Sequence, residues 1–234
     1  GPPGIGKRTF ALRLAQTLLC LRRPEADLDP CGQCPSCVQL AAGSHPDFEI
    51  VGRPKDKSFL PLELLIGDKE HRGREGLCHA IAMKPYMGGP KVAIIDDADY
   101  LNAEGANSLL KTLEEPPPRS VLILVGTSPA KQLPTIRSRC QIVRFRALRS
   151  EDVAELLVAQ GLIQSAEEAR GLASRSGGSL ERALELAGAE LWQFRAALHE
   201  RLSEPRLDGV LVAETVSSFV AEAGSERAAR RARL

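Results

Sequence analysis

The sequence predicts an α/β domain built on a parallel sheet, followed by a small all-helical domain. KVAIID at 91–96 and VLILVG at 121–126 are continuous apolar runs, as in buried parallel strands. Segments with helical spacing separate them, and after Arg149 only helical patterns follow. Strands that alternate with helices favour a sheet covered by helices. The expected domains are 1–147, a helical lid at 148–202, and the truncated start of a C-terminal helical region at 203–234.

Other elements follow from the same periodicities. Asn102 can cap a helix that continues to the prolines of EEPPP at 114–118, because proline cannot extend a helix. Two further short strands are predicted, FEIV at 48–51 and IVRF at 142–145. The remaining predicted helices are 8–20, 67–84, 150–160, 165–175, 179–187 and 190–202.

Composition narrows the class of protein. Among 234 residues, 43% are hydrophobic and 26% charged, which allows a packed core. The net charge of +1 supplies no general attraction to DNA, so nucleic-acid contact must come from a local patch or from partners. No apolar run approaches the roughly 20 residues needed to span a membrane. We therefore expect a cytoplasmic protein.

The first seven residues, GPPGIGK, form a phosphate-loop pattern. Glycines at Gly1, Gly4 and Gly6 let backbone N–H groups approach phosphate oxygens, and Lys7 adds a positive charge. The alternative is a Gly/Pro turn before a helix. Such a loop follows a buried strand, so we expect a chain truncated at its N-terminus and a sheet without its first strand.

The residue after Lys7 departs from this pattern. A Ser or Thr hydroxyl normally holds Mg²⁺ there, but this position is Arg8. Thr9 lies one residue later, rotated by about 100° around the helix. We expect weak or absent hydrolysis of ATP, and whether nucleotide binds at all stays open.

An acidic pair ends the strand at 91–96. Asp96 at the carboxyl edge of a parallel strand can face a metal ion, as in a Walker B element. Asp97 occupies the place where a glutamate usually orients water, and its side chain is one methylene shorter. A structural or vestigial role is favoured over catalysis.

Four cysteines have metal-ligand spacing. Cys20 is followed by Cys31, Cys34 and Cys37 in a C-x-x-C-x-x-C run, which suits a closed tetrahedral zinc site. The alternatives are unrelated reduced cysteines or a disulfide. We expect a structural zinc module at about 20–47. His45 is expected to form a turn with Pro46 and Asp47, Lys91 to be a solvated charge, and the other two cysteines, Cys78 and Cys140, to be packed residues.

Three segments carry a family resemblance. NSLLKTLEEPP at 107–117, LPTIRSRCQ at 133–141 and the four-cysteine insert resemble the clamp-loader subunits of bacterial DNA polymerase III, which are AAA+ proteins. The resemblance covers residues 1–146 and extends more weakly to 188.

The resemblance implies roles for particular residues. Arg139 occupies the place of an arginine finger that enters the ATP site of a neighbouring subunit. Thr127 occupies the sensor-1 place, which can contact a γ-phosphate. Glu181 stands where active members carry the sensor-2 arginine, with Arg182 beside it.

Within this family, Arg8, Asp97 and Glu181 favour the non-hydrolysing delta-prime type. The implied partners are the gamma/tau and delta subunits in a hetero-oligomeric ring, with the sliding clamp and primed DNA reached through that assembly. One alternative is a gamma/tau-type motor that hydrolyses ATP. Another is a zinc-stabilised AAA+ interaction module.

Overall fold

The computed structural model describes residues 1–203 and 208–222. The chain divides into two compact units, the first spanning Gly1–Arg146 and the second beginning at Ala147. Of the predicted C-terminal region 203–234, the basic tail at 225–234 lies outside the described residues. Each unit has its own hydrophobic core and is described by itself.

The first unit contains a parallel sheet whose strands lie in chain order. The strands are β1 (Phe48–Val51), β2 (Lys91–Ile95) and β3 (Ser120–Leu124). Its helices are α1 (Lys7–Leu19), α2 (Pro35–Ala41), α3 (Glu63–Ile66), α4 (Leu77–Ala82), α5 (Ala103–Glu114) and α6 (Pro134–Arg137). Because the strands are parallel, their carboxyl ends meet at one edge of the sheet.

Strand β2 shows how the core is divided. Its successive side chains point to opposite faces. Val92 and Ile94 pack on the α1 side with Ala11 and Ala15, whereas Ala93 and Ile95 belong to the cluster on the other face. The sheet is thus covered on both faces, which explains why its central strand β2 is apolar from Val92 to Ile95.

Helix α5 begins and ends where the sequence predicts. The Asn102 side chain accepts a hydrogen bond of 2.7 Å from the Gly105 N–H, which is N-capping. The helix ends at Glu114, before Pro116. Leu109 is fully buried against the sheet, so the cap and the apolar face fix α5 together.

The predicted helix at 67–84 is wrong over its first half. Residues 67–76 form a loop, and only Leu77–Ala82 is helical there. Gly67, Gly73 and Gly76 all have positive φ values, 83°, 77° and 85°, which a right-handed helix cannot include. A Cβ on Gly76 would lie 2.6 Å from the backbone nitrogen of Gly67, so the loop closes tightly on itself.

The predicted strand at 142–145 is also wrong. The segment is irregular, and Ile142 and Val143 are 44% and 65% exposed. A cavity of about 830 Å³, lined by β3 and by residues 141–146, separates it from the free edge of the sheet. A strand needs a hydrogen-bonded neighbour, and among the described strands β3 pairs only with β2.

The second unit is helical throughout its described part. Its helices are α7 (Ser150–Ala159), α8 (Ala166–Arg175), α9 (Leu180–Leu186), α10 (Ala189–Leu202) and α11 (Gly209–Glu222). Val153, Leu157 and Leu172 form the centre of its core. The predicted fold class, an α/β phosphate-loop domain followed by a small all-α unit, is confirmed.

Candidate functional site

The phosphate loop turns on two glycines with left-handed backbones. Gly4 has a φ of 69° and Gly6 a φ of 88°, values that cost glycine no steric strain. Gly6 is the N-cap of α1, and no side chain caps this helix. The first turn of α1 therefore keeps backbone N–H groups that can donate to a phosphate oxygen.

The loop is held closed by its own lysine. The Lys7 ammonium donates to the carbonyl oxygen of Gly1 at 2.9 Å and also to that of Pro2. The amino group of Gly1 donates to the Thr127 carbonyl oxygen at 2.8 Å. These contacts join the loop to the segment that follows β3, so Thr127 lies beside the phosphate loop.

Arg8 and Asp96 form an ion pair. The guanidinium Nη1 of Arg8 lies 3.0 Å from Oδ2 of Asp96, and the two side chains are 63% and 16% exposed. The metal-binding hydroxyl of a phosphate-loop ATPase would occupy the position of Arg8, facing the same carboxylate. Thr9 is exposed one position further along α1. A cation of the protein itself therefore takes the place beside Asp96.

Asp97 has an unusual backbone and charge state. Its φ of 56° is left-handed, which aspartate tolerates better than most residues. Burial and the neighbouring Asp96 charge raise the pKa of Asp97. Its N–H donates to Oδ1 of Asp96 at 3.0 Å. The turn brings the two carboxylates side by side at the end of β2.

The Thr127 side chain is bound to a residue that the sequence reasoning missed, Asp99. Asp99 accepts hydrogen bonds from the Thr127 N–H at 2.7 Å and from its hydroxyl at 2.5 Å. Burial opposes ionisation of Asp99, but the Thr127 donors and Lys131 lower its pKa. Because the hydroxyl proton is donated to Asp99, Thr127 is not free to donate it to a γ-phosphate in this arrangement. Only the acid-rich turn DDAD hinted at Asp99.

Arg139 is engaged in its own chain. Its Nη2 contacts the Glu114 carboxylate at 2.5 Å, and its Nη1 donates to the Thr135 carbonyl at 2.9 Å and the Ser138 hydroxyl at 3.2 Å. The Arg139 side chain remains 33% exposed. The contact joins the two family-like segments, since Glu114 belongs to LLKTLEEPP and Arg139 to SRCQ.

The lid residues near the sensor-2 place are tied to their own helix. Ser179 caps α9 by accepting from the Arg182 N–H at 3.1 Å. The Arg182 guanidinium pairs with Glu185 at 2.9 Å, one turn further on. Glu181 lies in the acidic first turn of α9, where it complements the helix dipole.

The four predicted cysteines come together. One sulfur from each of Cys20, Cys31, Cys34 and Cys37 lies within 4.8 Å of the others. Tetrahedral zinc with Zn–S bonds of about 2.3 Å requires sulfurs about 3.8 Å apart, so little adjustment is needed. Gly32, with a φ of 69°, and Pro35, at the start of α2, shape the turns between them. All six cysteines of the chain are free thiols.

The environment of the cluster shifts the pKa values of its thiols in opposite directions. Burial alone would raise the pKa of Cys20, but N–H groups of Cys31, Arg22 and Arg23 donate to its sulfur and lower the pKa to about 6. Burial and the neighbouring Cys34 raise the pKa of Cys37 to about 12. A cation is therefore required before all four sulfurs can ionise together, and four sulfurs leave no open coordination position. The donor set fits a structural zinc ion.

One other expectation about this region was wrong. Lys91 is not a solvated charge, because its side chain is 11% exposed and pairs with the fully buried Asp47 carboxylate at 3.3 Å. His45 forms the predicted turn with Pro46 and Asp47, because the Phe48 N–H donates to its carbonyl at 3.3 Å, and it is also 5% exposed and bonded to Ser36 at 2.8 Å. Sequence spacing carries no signal for either contact, because the partners lie far apart in the chain.

The segments described above lie within the part of the chain that is similar to known proteins. A family model described as "DNA polymerase III, delta subunit" matches residues 1–149. DNA polymerase III subunit delta' of Pseudomonas aeruginosa is 34% identical over 200 residues, covering 86% of this chain and 58% of that protein. The chain belongs to the DNA polymerase III delta' subunit family.

The chain is also similar to gamma/tau subunits of DNA polymerase III. DNA polymerase III subunit gamma/tau of Mycobacterium bovis is 36% identical over 157 residues, covering 67% of this chain and 25% of that protein. Among solved structures, the Thermotoga maritima RuvB Holliday junction branch migration motor is 17% identical, with a TM-score of 0.48, covering 93% of this chain and 59% of that one. The chain thus spans little more than half the length of its delta' relative.

None of the chain's described helices is both long enough and apolar enough to cross a bilayer.

Proposed function

We propose that this protein is a clamp-loader subunit that does not hydrolyse ATP and that lends Arg139 to the ATP site of a neighbouring subunit. In this role it forms a fixed wall of a hetero-oligomeric ring with gamma/tau and delta subunits. The ring opens a sliding clamp and places it on primed DNA. The net charge of +1 favours DNA contact through the assembly over binding by this chain alone.

The ion pair between Arg8 and Asp96, 3.0 Å long, carries the non-hydrolysing part of the proposal. Phosphoryl transfer depends on a metal ion held by a hydroxyl after the loop lysine and by the acid at the strand end. Here the hydroxyl is replaced by a guanidinium, which neutralises that acid. A divalent cation at this place would have to displace Arg8 and then tolerate its charge nearby.

Two neighbouring residues support the same conclusion. The Thr127 hydroxyl donates to Asp99 at 2.5 Å, so it is engaged away from a phosphate. Asp97, the second candidate acid, is one methylene shorter than the glutamate usual at this place, and burial and Asp96 raise its pKa. An ATPase would need these groups to be available at the same time.

Arg139 supports the part of the proposal that acts on a neighbour. A guanidinium can stabilise negative charge that develops on a transferred phosphoryl group. Arg139 lies at the surface, 33% exposed, in the segment that resembles the finger of clamp-loader subunits. Four cysteines would hold structural zinc, whose fixed bonds give the insert rigidity that a small core cannot supply.

The decisive experiment measures ATP hydrolysis by the full-length protein, alone and reconstituted with its motor subunits. We expect the isolated protein to show no ATPase activity. In the complex, we expect Arg139→Ala to lower the hydrolysis rate of one ATP site by about 10³-fold or more. Arg137→Ala is the matched control, because Arg137 is exposed in the same segment. Activity of the isolated subunit, or equal rates in the two variants, would contradict the proposal.

A second candidate is a gamma/tau-type motor, favoured by the 36% identity with the Mycobacterium bovis subunit. Such a motor would hydrolyse ATP with Arg8 displaced from Asp96. Saturating Mg·ATP in the assay above separates the two candidates, because a motor would turn over without any partner.

A further inference from the structure

Three polar residues form a buried chain outside the phosphate loop. Ser36, His45 and Asp47 are 1%, 5% and 2% exposed. Buried polar groups of this kind destabilise a fold unless each one finds a hydrogen-bond partner. These three find partners largely in one another and in two surrounding segments of backbone.

The direction of every hydrogen bond in the chain can be assigned. The Asp47 N–H donates to Nδ1 of His45 at 3.0 Å, so Nδ1 carries no proton and Nε2 carries one. Nε2 then donates to the Ser36 hydroxyl oxygen at 2.8 Å. The Ser36 hydroxyl donates to the Leu19 carbonyl at 2.6 Å. A single neutral tautomer of His45 satisfies the whole chain.

One end of this chain lies among the cysteines. Leu19 directly precedes Cys20, and Ser36 stands between Cys34 and Cys37 in the first turn of α2. Helix α2 has only seven residues, too few to be stable without external support. Any change in the positions of the cysteines therefore moves the Ser36 hydroxyl, which donates, and the Leu19 carbonyl, which accepts.

The other end holds a surface loop. The Asp47 carboxylate accepts from the N–H groups of Tyr86 at 2.7 Å and Met87 at 2.8 Å. Residues 83–90 form no helix or strand, so these bonds to a buried carboxylate help fix the loop. The side chain of Tyr86 is left 85% exposed and that of Met83 54% exposed.

We propose that the chain from Leu19 through Ser36 and His45 to Asp47 couples the four-cysteine module to the loop at 83–90, so that metal bound by the cysteines fixes the position of Tyr86. Ser36, His45 and Asp47 are positioning residues. The coupling goes beyond the proposed function, because it concerns a surface loop and requires no nucleotide chemistry.

The coupling depends on the fact that both ends of this hydrogen-bonded chain are held in place. With metal bound, the cysteines hold Leu19 and α2 at the separation that Ser36 bridges. Without metal, Ser36 loses its place against the Leu19 carbonyl, and His45 loses its acceptor. His45 can then rotate away from the Asp47 N–H, which removes one of the contacts that hold the turn presenting the Asp47 carboxylate to Tyr86; the bond from the Val92 N–H to the Asp47 carbonyl at 2.9 Å and the pair with Lys91 remain.

Hydrogen exchange of the whole chain tests the coupling, with zinc content measured on the same samples. We expect the Tyr86 and Met87 amides to exchange about tenfold faster after chelation, because both lose a charged acceptor. Ser36→Ala with zinc retained is expected to accelerate the same two amides. Ser44→Ala is the matched control, since Ser44 is exposed and bonded only to the nearby Gln39 carbonyl at 3.4 Å.

Chelation could also unfold the first unit, so β2 serves as an internal reference. If β2 amides lose protection on chelation, the zinc-loaded Ser36→Ala protein alone decides the matter. Unchanged exchange of Tyr86 and Met87 in that protein overturns the proposal. Chelation that accelerates exchange only within residues 20–45 overturns it as well.

Discussion

The Arg8 guanidinium contacts the Asp96 carboxylate at 3.0 Å, across the space between the first turn of α1 and the end of β2. The two residues are far apart in the chain and meet only because the parallel sheet brings the phosphate loop to the carboxyl edge of β2. An arginine on the helix and an acid on the strand thus neutralise each other where a phosphate-loop ATPase holds its metal ion.

Replacing Arg8 tests whether this pair keeps a divalent cation away. Arg8→Thr removes the guanidinium and supplies the hydroxyl that the phosphate-loop pattern normally contains. We expect Mg²⁺ to tighten nucleotide binding about tenfold in this variant and to have little effect on the natural protein. Calorimetric titration of ATP with Mg²⁺ and with EDTA measures the difference.

Arg13→Thr is the control for that experiment. Arg13 lies on the same helix but pairs with Asp29 at 3.0 Å, away from Asp96. The interpretation fails if Arg13→Thr behaves like Arg8→Thr, or if Mg²⁺ has the same effect on all three proteins.

The cysteine cluster predicts metal-dependent stability. Cys34→Ser removes a fully buried ligand, so we expect loss of bound zinc and a fall of about 3 kcal/mol or more in the free energy of unfolding. Cys140→Ser, outside the cluster, should keep one zinc per chain. Elemental analysis with urea unfolding checks both, and equal zinc content in the two variants would refute a four-cysteine site.

The buried position of His45 predicts that the free energy of unfolding falls at acid pH. Burial lowers the pKa of His45 below its ordinary 6.5, so below pH 6.5 the unfolded chain binds protons that the folded chain does not. Stability should therefore fall as the pH drops from 6.5, by at most about 1.4 kcal/mol per pH unit, until the folded pKa is passed. Above pH 6.5 this contribution vanishes.

Urea unfolding between pH 5 and 8 compares the natural protein with two variants. His45→Gln should show a smaller dependence on pH, whereas His199→Gln, at an exposed position, should retain the original slope. An unchanged slope in His45→Gln would show that other groups cause the acid sensitivity.

The ion pair with Glu114 is expected to limit the contact of Arg139 with a phosphoryl group. The Glu114 carboxylate contacts the guanidinium at 2.5 Å and neutralises the charge that a phosphoryl group would need. Glu114→Gln should raise the ATPase rate of the reconstituted complex, by no more than about fivefold, because exposed ion pairs are worth up to about 1 kcal/mol. Glu115→Gln is the control, and a lower rate in Glu114→Gln would mean that Glu114 orients Arg139 for its role.

Local patterns in the sequence determined much of this protein. The phosphate loop, the cap at Asn102, the cysteine spacing and the three strands follow from neighbouring residues and short periodicities, which act within a few turns of chain. The prediction of a helix at 67–84 was wrong because it relied on the spacing of apolar residues. Three glycines in this segment have positive φ values, which break the helix.

The tertiary structure alone decided which distant groups meet. The pairing of Arg8 with Asp96 and the donation from Thr127 to Asp99 depend on how strand ends and the start of α1 meet at one edge of the sheet, and the buried position of His45 depends on contacts at the opposite edge, where β1 and β2 begin. The segment at 142–145 has the composition of a strand, but strand formation requires a hydrogen-bonded neighbour, and composition cannot supply one.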